Sequence, residues 1–66
     1  MKTEIYDTLI DGRKYTFIVS PHDWYEDGII TNWIAKAKLG SGLLKVHGYG
    51  GDPESAALEL VKVIEK

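Results

Sequence analysis

The 66-residue sequence contains no cysteine, which excludes disulfides and any cysteine-ligated zinc or iron–sulfur site. It also has no large excess of charge, because eight Lys and Arg oppose ten Asp and Glu for a formal net charge of −2. This balance gives no general attraction to nucleic acid or to an anionic membrane. The apolar runs are far shorter than the roughly 20 residues that span a bilayer. The first four residues do not begin a secretory signal, so we expect a cytoplasmic protein without membrane association.

What remains is a composition typical of one small folded domain, with 44% hydrophobic and 27% charged residues. We predict a single domain over residues 1–66, with no linker or internal repeat. A chain of this length buries only about 60% of the surface that its unfolded form exposes. A partner protein or a second copy would therefore add substantially to its stability.

The start of the chain predicts a β-hairpin. Residues 4–10 and 14–20 both carry β-branched and aromatic side chains in near-alternation, which is typical of half-buried strands. Asp11 and Gly12 lie between them, and Asp-Gly between two such segments is a strong signal for a tight turn. A two-residue turn would place three residue pairs opposite each other: Ile5 and Ile18, Tyr6 and Phe17, and Ile10 and Arg13.

A three-residue turn at the same place would instead set Asp7 opposite Phe17. We predict the two-residue turn, because it keeps a carboxylate away from an aromatic core.

Three further elements and their connections follow from local signals. Pro21 predicts the end of the second strand, and residues 22–28 predict a loop that a second Asp-Gly closes. Residues 29–39 alternate apolar and polar side chains, as a third strand does. Residues 40–42 predict a turn, and residues 43–49 a fourth strand with Leu44 and Val46 facing inward and Lys45 and His47 outward.

The end of the chain predicts a helix that runs to Lys66. Asp52 is a good N-cap, Pro53 suits the first helical position, and Glu54 favours the positive end of the helix. One apolar stripe recurs at helical spacing, formed by Ala57, Leu60, Val61 and Ile64.

These elements give the order β-β-β-β-α. We predict an α+β fold in which a four-stranded antiparallel sheet packs one face against a C-terminal helix. Ala35 and Ala37 are small where the helix is expected to approach. The predicted sheet side of the core comprises Tyr6, Tyr15, Phe17, Val19, Trp33, Ala35, Leu39, Leu44 and Val46.

Four aliphatic residues fall on the sheet face away from the helix: Ile5, Leu9, Ile18 and Ile34. Scattered exposed aliphatics are ordinary, but a contiguous group usually marks a contact surface. We predict that these four form a partner interface, and that the partner is a second copy in a two-fold homodimer that forms through the sheet face or edge.

Two groups of polar residues carry side chains that occur in metal or catalytic sites. His22, Asp23, Glu26 and Asp27 are metal-ligand types, but their spacing matches no known metal motif, and a solvated acidic loop explains them better. His47 beside Lys45 and Tyr49 lacks a recognisable serine, aspartate or cysteine partner. We therefore predict no enzyme activity, no cofactor and no metal.

Two further patterns are of types that bind phosphate or nucleic acid. The glycine-rich segment 48–53 joins a strand to a helix, as phosphate loops do, but it fits neither common phosphate-binding pattern, and Asp52 would repel phosphate. The alternative function is nucleic-acid binding by a basic sheet face, on which a base stacks beside lysines. Its candidate contacts are Lys36, Lys38, Lys45 and Tyr49.

Residues 15–66 resemble the N-terminal domain of HicB-type antitoxins, a partial RNase H-like fold. The resemblance rests on the order of Tyr15-Thr16-Phe17-Ile18-Val19, Glu26-Asp27-Gly28, Trp33-Ile34-Ala35, and Gly50-Gly51-Asp52 before Pro53-Glu54-Ser55-Ala56. It implies a non-catalytic domain that dimerises or docks on a protein, for which a toxin ribonuclease is one possibility.

The chain departs from the HicB pattern at three points. Lys38-Leu39-Gly40-Ser41-Gly42 replaces the usual Pro-Gly-Cys loop, and residues 4–10 precede the usual first strand. The C-terminal DNA-binding domain of the family is missing from this sequence, so the resemblance does not imply control of an operon.

Overall fold

The computed structural model describes residues 2–66 and consists of four strands followed by a helix. The strands pair antiparallel in the order β1-β2-β3-β4, and the helix packs on one face of the sheet, which confirms the predicted α+β fold. The elements are β1 (Glu4–Ile10), β2 (Arg13–Trp24), β3 (Ile30–Leu39), β4 (Gly42–Gly50) and α1 (Pro53–Ile64).

The first hairpin has the predicted register. Ile10 pairs with Arg13, Tyr6 with Phe17 and Ile5 with Ile18. The turn residues Asp11 and Gly12 both have positive φ, at 50° and 77°. Two successive positive φ values are the mark of a type I′ turn, whose twist matches that of the flanking strands.

The prediction that Pro21 ends the second strand is wrong. β2 continues to Trp24, and Pro21 itself pairs with Trp33. The ladder with β1 stops at the pair of Glu4 and Val19. At Pro21 the β1 side of β2 therefore has no neighbouring strand, and a missing N–H costs little there.

The extension of β2 also corrects the predicted loop. His22 is an extra residue in the β2–β3 ladder, at a register shift between Pro21 and Asp23. The predicted loop is thus shorter than residues 22–28, because its first three residues belong to β2. β3 begins at Ile30, one residue later than predicted.

An irregularity between β3 and β4 corrects the predicted core. Lys36 pairs with His47 but Lys38 pairs with Leu43, so three residues of β4 oppose one of β3. Such a bulge interrupts the alternation of faces. Leu44 still packs against the core, but Val46 is exposed rather than inward.

The helix begins as predicted and ends two residues early. The Asp52 side chain accepts a hydrogen bond of 2.7 Å from the Ser55 backbone N–H, and Pro53 opens the helix. This bond lowers the pKa of Asp52, because it favours the charged carboxylate. The helix ends at Ile64, with Glu65 as its C-cap.

The core lies between the helix and the middle of the sheet. Its fully buried large side chains are Phe17, Val19 and Leu60. The helix passes closely over β4, where a Cβ on Gly50 would lie 2.6 Å from the Ala56 backbone nitrogen. Apart from Leu60, the predicted helix stripe packs at the edge of the core as half-buried side chains.

Tyr6 was predicted in the core but remains 36% exposed. The helix packs mainly against β4 and β3 and reaches β2 only marginally. The inner face of β1 is therefore left open. Ile10 and Ala56 are buried instead, and neither was predicted as a core residue.

Across residues 2–66, no helix has the length and apolar character needed to cross a membrane.

Candidate interaction surface

The sheet face opposite the helix, here called the outer face, brings the four predicted interface residues together. Ile5 lies opposite Ile18, and Ile18 lies opposite Lys36. Residues directly opposite in a ladder share a face. Ile34 lies one row further along, between Ser20 and Tyr49. Leu9 follows Ile5 on the same side of β1, opposite Lys14.

The four aliphatics differ strongly in exposure. Ile5 is 67% exposed and Leu9 is 72% exposed. Ile18 is half-buried, whereas Ile34 is only 7% exposed although it lies outside the main core. The accessible part of the predicted surface is therefore concentrated on β1.

Two histidines and a tyrosine cluster at the other end of the outer face. The ring of His22 lies 5.3 Å from that of Tyr49, and the ring of His47 lies 6.5 Å from it, both edge to face. Tyr49 pairs with Ile34 in the β3–β4 ladder. The cluster therefore lies next to the buried Ile34. The proximity of His22 was missed by sequence reasoning, because Pro21 was expected to end β2 before it.

The candidate nucleic-acid contacts are only partly assembled. Lys36 is exposed and pairs with His47, while Lys38 is half-buried and pairs with Leu43. Tyr49 is 45% exposed, but its ring contacts both histidines. Lys45 lies within the β4 bulge rather than in the regular ladder.

The lysine candidates have no ion-pair partners in the described chain. The pairs found there are Lys14 with Asp7 at 3.9 Å and Lys62 with Glu59 at 3.0 Å. Both are exposed, and neither includes a candidate contact. The positive charge of the three candidates is therefore not neutralised by an adjacent carboxylate.

The acidic segment has a structural role. The Asp27 carboxylate accepts a hydrogen bond of 3.1 Å from the Ile29 N–H and so closes the turn before β3. His22 and Asp23 belong to β2, away from this turn. Among residues 2–66, no three histidine or acidic side chains lie close enough together to hold a metal ion.

The tip of the β2–β3 hairpin exposes apolar side chains that were not predicted as a surface. Trp24, Tyr25 and Ile29 are 61%, 64% and 58% exposed. The tip is ordered by two backbone hydrogen bonds of 2.9 Å, from Tyr25 N–H to Ile29 and from Gly28 N–H to Tyr25. The density of aromatics in residues 24–29 was the available sequence signal.

A groove of about 510 Å³ separates β1 from the helix. Leu58 projects into it from the helix at 56% exposure, opposite Tyr6. The Tyr6 hydroxyl donates to the Glu4 carboxylate, which raises the pKa of the phenol. Sequence reasoning missed this groove because it placed Tyr6 under the helix.

Comparison with known proteins finds no match to any family model, to any curated protein or to any solved structure.

Proposed function

We propose that this chain is a non-catalytic protein-interaction module that forms a homodimer through the exposed aliphatic side chains of β1. The observation that carries the proposal is the exposure of Ile5 and Leu9, at 67% and 72%, on the same side of one strand. Half-buried Ile18 lies directly beside Ile5 and extends the apolar surface inward. Ile5 and Ile18 form a contiguous aliphatic pair of the kind that typically marks a contact surface, and Leu9 lies beyond Asp7 on the same face of β1.

Burial of Ile5 and Leu9 limits how tight the dimer can be. Complete burial of an aliphatic side chain contributes about 1.5–3 kcal/mol, so the four chains from two copies contribute at most about 12 kcal/mol. Association costs about 4–15 kcal/mol in lost freedom and ordering. The largest gain and the smallest cost leave about 8 kcal/mol, which corresponds to a dissociation constant of about 1 μM. We therefore expect dissociation at micromolar concentrations or above.

The polar groups support a non-catalytic role. Within residues 2–66, no polar or charged side chain is buried, so no acid or base is desolvated as catalytic groups commonly are. Both histidines face an aromatic ring rather than a carboxylate. A small protein such as a toxin, as the HicB resemblance implies, is the alternative occupant of the same surface.

Sedimentation of single-lysine variants tests the dimer. Ile5→Lys and Leu9→Lys should lower the apparent mass towards that of a monomer, with unchanged circular dichroism. Val63→Lys is the matched control, because Val63 is a 39% exposed aliphatic on the helix, and it should leave the dimer intact. Ile34→Lys is unsuitable, since that side chain is buried within the protomer. A wild type that stays monomeric at high micromolar concentration contradicts the proposal.

A second candidate function is nucleic-acid binding by the outer face. It is favoured by the absence of ion-pair partners for Lys36, Lys38 and Lys45 in the described part of the chain. Phosphate contacts would make affinity for a mixed oligonucleotide fall steeply between low and physiological salt. Lack of binding at low salt excludes this candidate.

A further inference from the structure

We infer that two copies join edge to edge, with β1 of one copy hydrogen-bonded antiparallel to β1 of the other. This inference rests on the proposed homodimer and names the strand and the register that build it. The product is one continuous eight-stranded sheet whose outer face runs across the two-fold axis. The two edges of the sheet differ in how open they are to such pairing.

The β4 edge is protected in ways that natural sheets commonly use. The bulge opposite Ala37 breaks its regularity, and Lys45 lies within that bulge. Bulges and lysines on an edge strand both discourage further strand pairing.

The β1 edge lacks a bulge and a lysine, and its charged side chains are the carboxylates of Glu4 and Asp7. Its seven residues pair with β2 in an unbroken register, without proline, glycine or a bulge. Six of the seven are exposed or half-buried, and Ile10 alone is buried. A regular exposed edge with aliphatic side chains is a ready template for pairing with another strand.

The turn determines which backbone groups face outward. A type I′ turn closes with a hydrogen-bonded pair at its flanking residues, here Ile10 and Arg13. Hydrogen-bonded and non-hydrogen-bonded pairs then alternate along the ladder. The N–H and C=O groups of Ile5, Asp7 and Leu9 accordingly point away from β2 and towards a second copy.

These outward groups select one register. Pairing that keeps the same face on the same side must place Ile5, Asp7 and Leu9 opposite one another. A two-fold axis at Asp7 sets Ile5 opposite Leu9 of the second copy and Asp7 opposite its own equivalent. All three residues then find partners, whereas an axis at Tyr6 or Thr8 leaves one of them outside the paired strand.

In this register the side-chain contacts are favourable at the ends of the paired strands and unfavourable at the axis. Each Ile5 would meet Leu9 of the second copy on the outer face, with Ile18 beside Ile5 on the next strand. The two Asp7 carboxylates would face each other at the axis, which is unfavourable. Each is offset by its own Lys14 at 3.9 Å and by a 3.3 Å hydrogen bond from Thr16.

Disulfide trapping tests the register, because the chain has no cysteine of its own. Directly opposed hydrogen-bonded residues have Cα atoms about 5.5 Å apart, within the range that a disulfide spans. Asp7→Cys alone should therefore form a cross-linked dimer. Ile5→Cys and Leu9→Cys should each fail alone, since each lies about 13 Å from its own equivalent along the strand, and should cross-link when mixed. Leu43→Cys on the opposite edge is the control and should remain monomeric under oxidation.

Asp7→Asn provides a second test, which predicts the direction of a change in the dissociation constant and needs no cross-link. Removing the like charges at the axis should lower the dissociation constant by up to about five-fold. A dimer that does not pair through β1 would keep its dissociation constant. A wild type that dimerises while the Ile5→Cys variant cross-links with itself, or while no β1 cysteine variant cross-links, shows that the edge register is wrong and that the proposed homodimer stands. If the wild type is monomeric, both are wrong.

Discussion

At the scale of single residues, two glycines in β4 allow the helix to pack closely. A Cβ added to Gly48 would overlap the Ala56 carbonyl oxygen and the Leu60 backbone nitrogen, and neither can move without shifting the helix. Gly48→Ala should therefore destabilise the protein by about 1–3 kcal/mol, the usual cost of overpacking. Gly51→Ala is the control, because nothing lies within 4 Å of its added Cβ, and it should change stability by less than about 0.5 kcal/mol. Urea unfolding of the two variants measures the difference.

Asp52 makes a residue-scale prediction about pH. Its pKa is lowered by the hydrogen bond from the Ser55 N–H, so the folded pKa lies below the unfolded value of about 3.9. The cap therefore stabilises fully above that unfolded pKa and loses its effect as the pH falls towards the folded pKa. Asp52→Asn keeps a capping oxygen but does not titrate.

Thermal unfolding from pH 6 to pH 2 measures this effect. The melting temperature of Asp52→Asn should fall less steeply below pH 4 than that of the wild type. Asp52→Ala, which removes the cap, should melt about 4–8 °C lower at pH 6. Parallel wild-type and Asp52→Asn curves would show that Asp52 does not contribute to acid sensitivity.

At the scale of elements, sequence patterns predicted those parts of the fold that local chemistry determines. The Asp11-Gly12 turn requires positive φ, and the need to keep Asp7 away from Phe17 selects its register; both are local properties. The end of β2 was mispredicted because a strand can continue through Pro21 only where β1 has already ended. The point at which β1 ends is a property of the tertiary structure, which local sequence does not reveal. The same error hid the contact between His22 and Tyr49.

The first turn carries an element-scale prediction. Gly12 has a φ of 77°, which an L side chain adopts with strain. Gly12→Ala should destabilise the protein by about 1–2 kcal/mol, the cost of placing a Cβ in that region. Gly42→Ala should be close to neutral, because Gly42 lacks a positive φ and its Cβ would make an ordinary 3.6 Å contact with Leu39. Equal losses in the two variants would contradict an effect specific to the type I′ turn.

At the scale of the whole molecule, the lateral position of the helix determines which surfaces remain open. The helix lies over β4, where Gly48 and Gly50 allow its close approach, and over β3, where Ala35 and Ala37 are buried, and it leaves β1 uncovered. The sequence contained these glycines but not the β4 bulge, which depends on pairing between distant residues. Sequence reasoning consequently found the outer-face aliphatics but missed the groove beside Tyr6.

An uncovered β1 makes the stability of the protein depend on its concentration. Association stabilises the folded state by mass action, so the melting temperature of a dimer rises with protein concentration. Each 1 kcal/mol of added stability raises the melting temperature of a domain this small by about 4–8 °C. The wild type should therefore melt several degrees higher when its concentration is raised from well below to well above the dissociation constant. Ile5→Lys should melt at one temperature throughout, because it keeps the protomer core but loses the β1 contact, whereas Val63→Lys should follow the wild type. A wild-type melting temperature that is independent of concentration would mean that the protomer core alone supplies the measured stability.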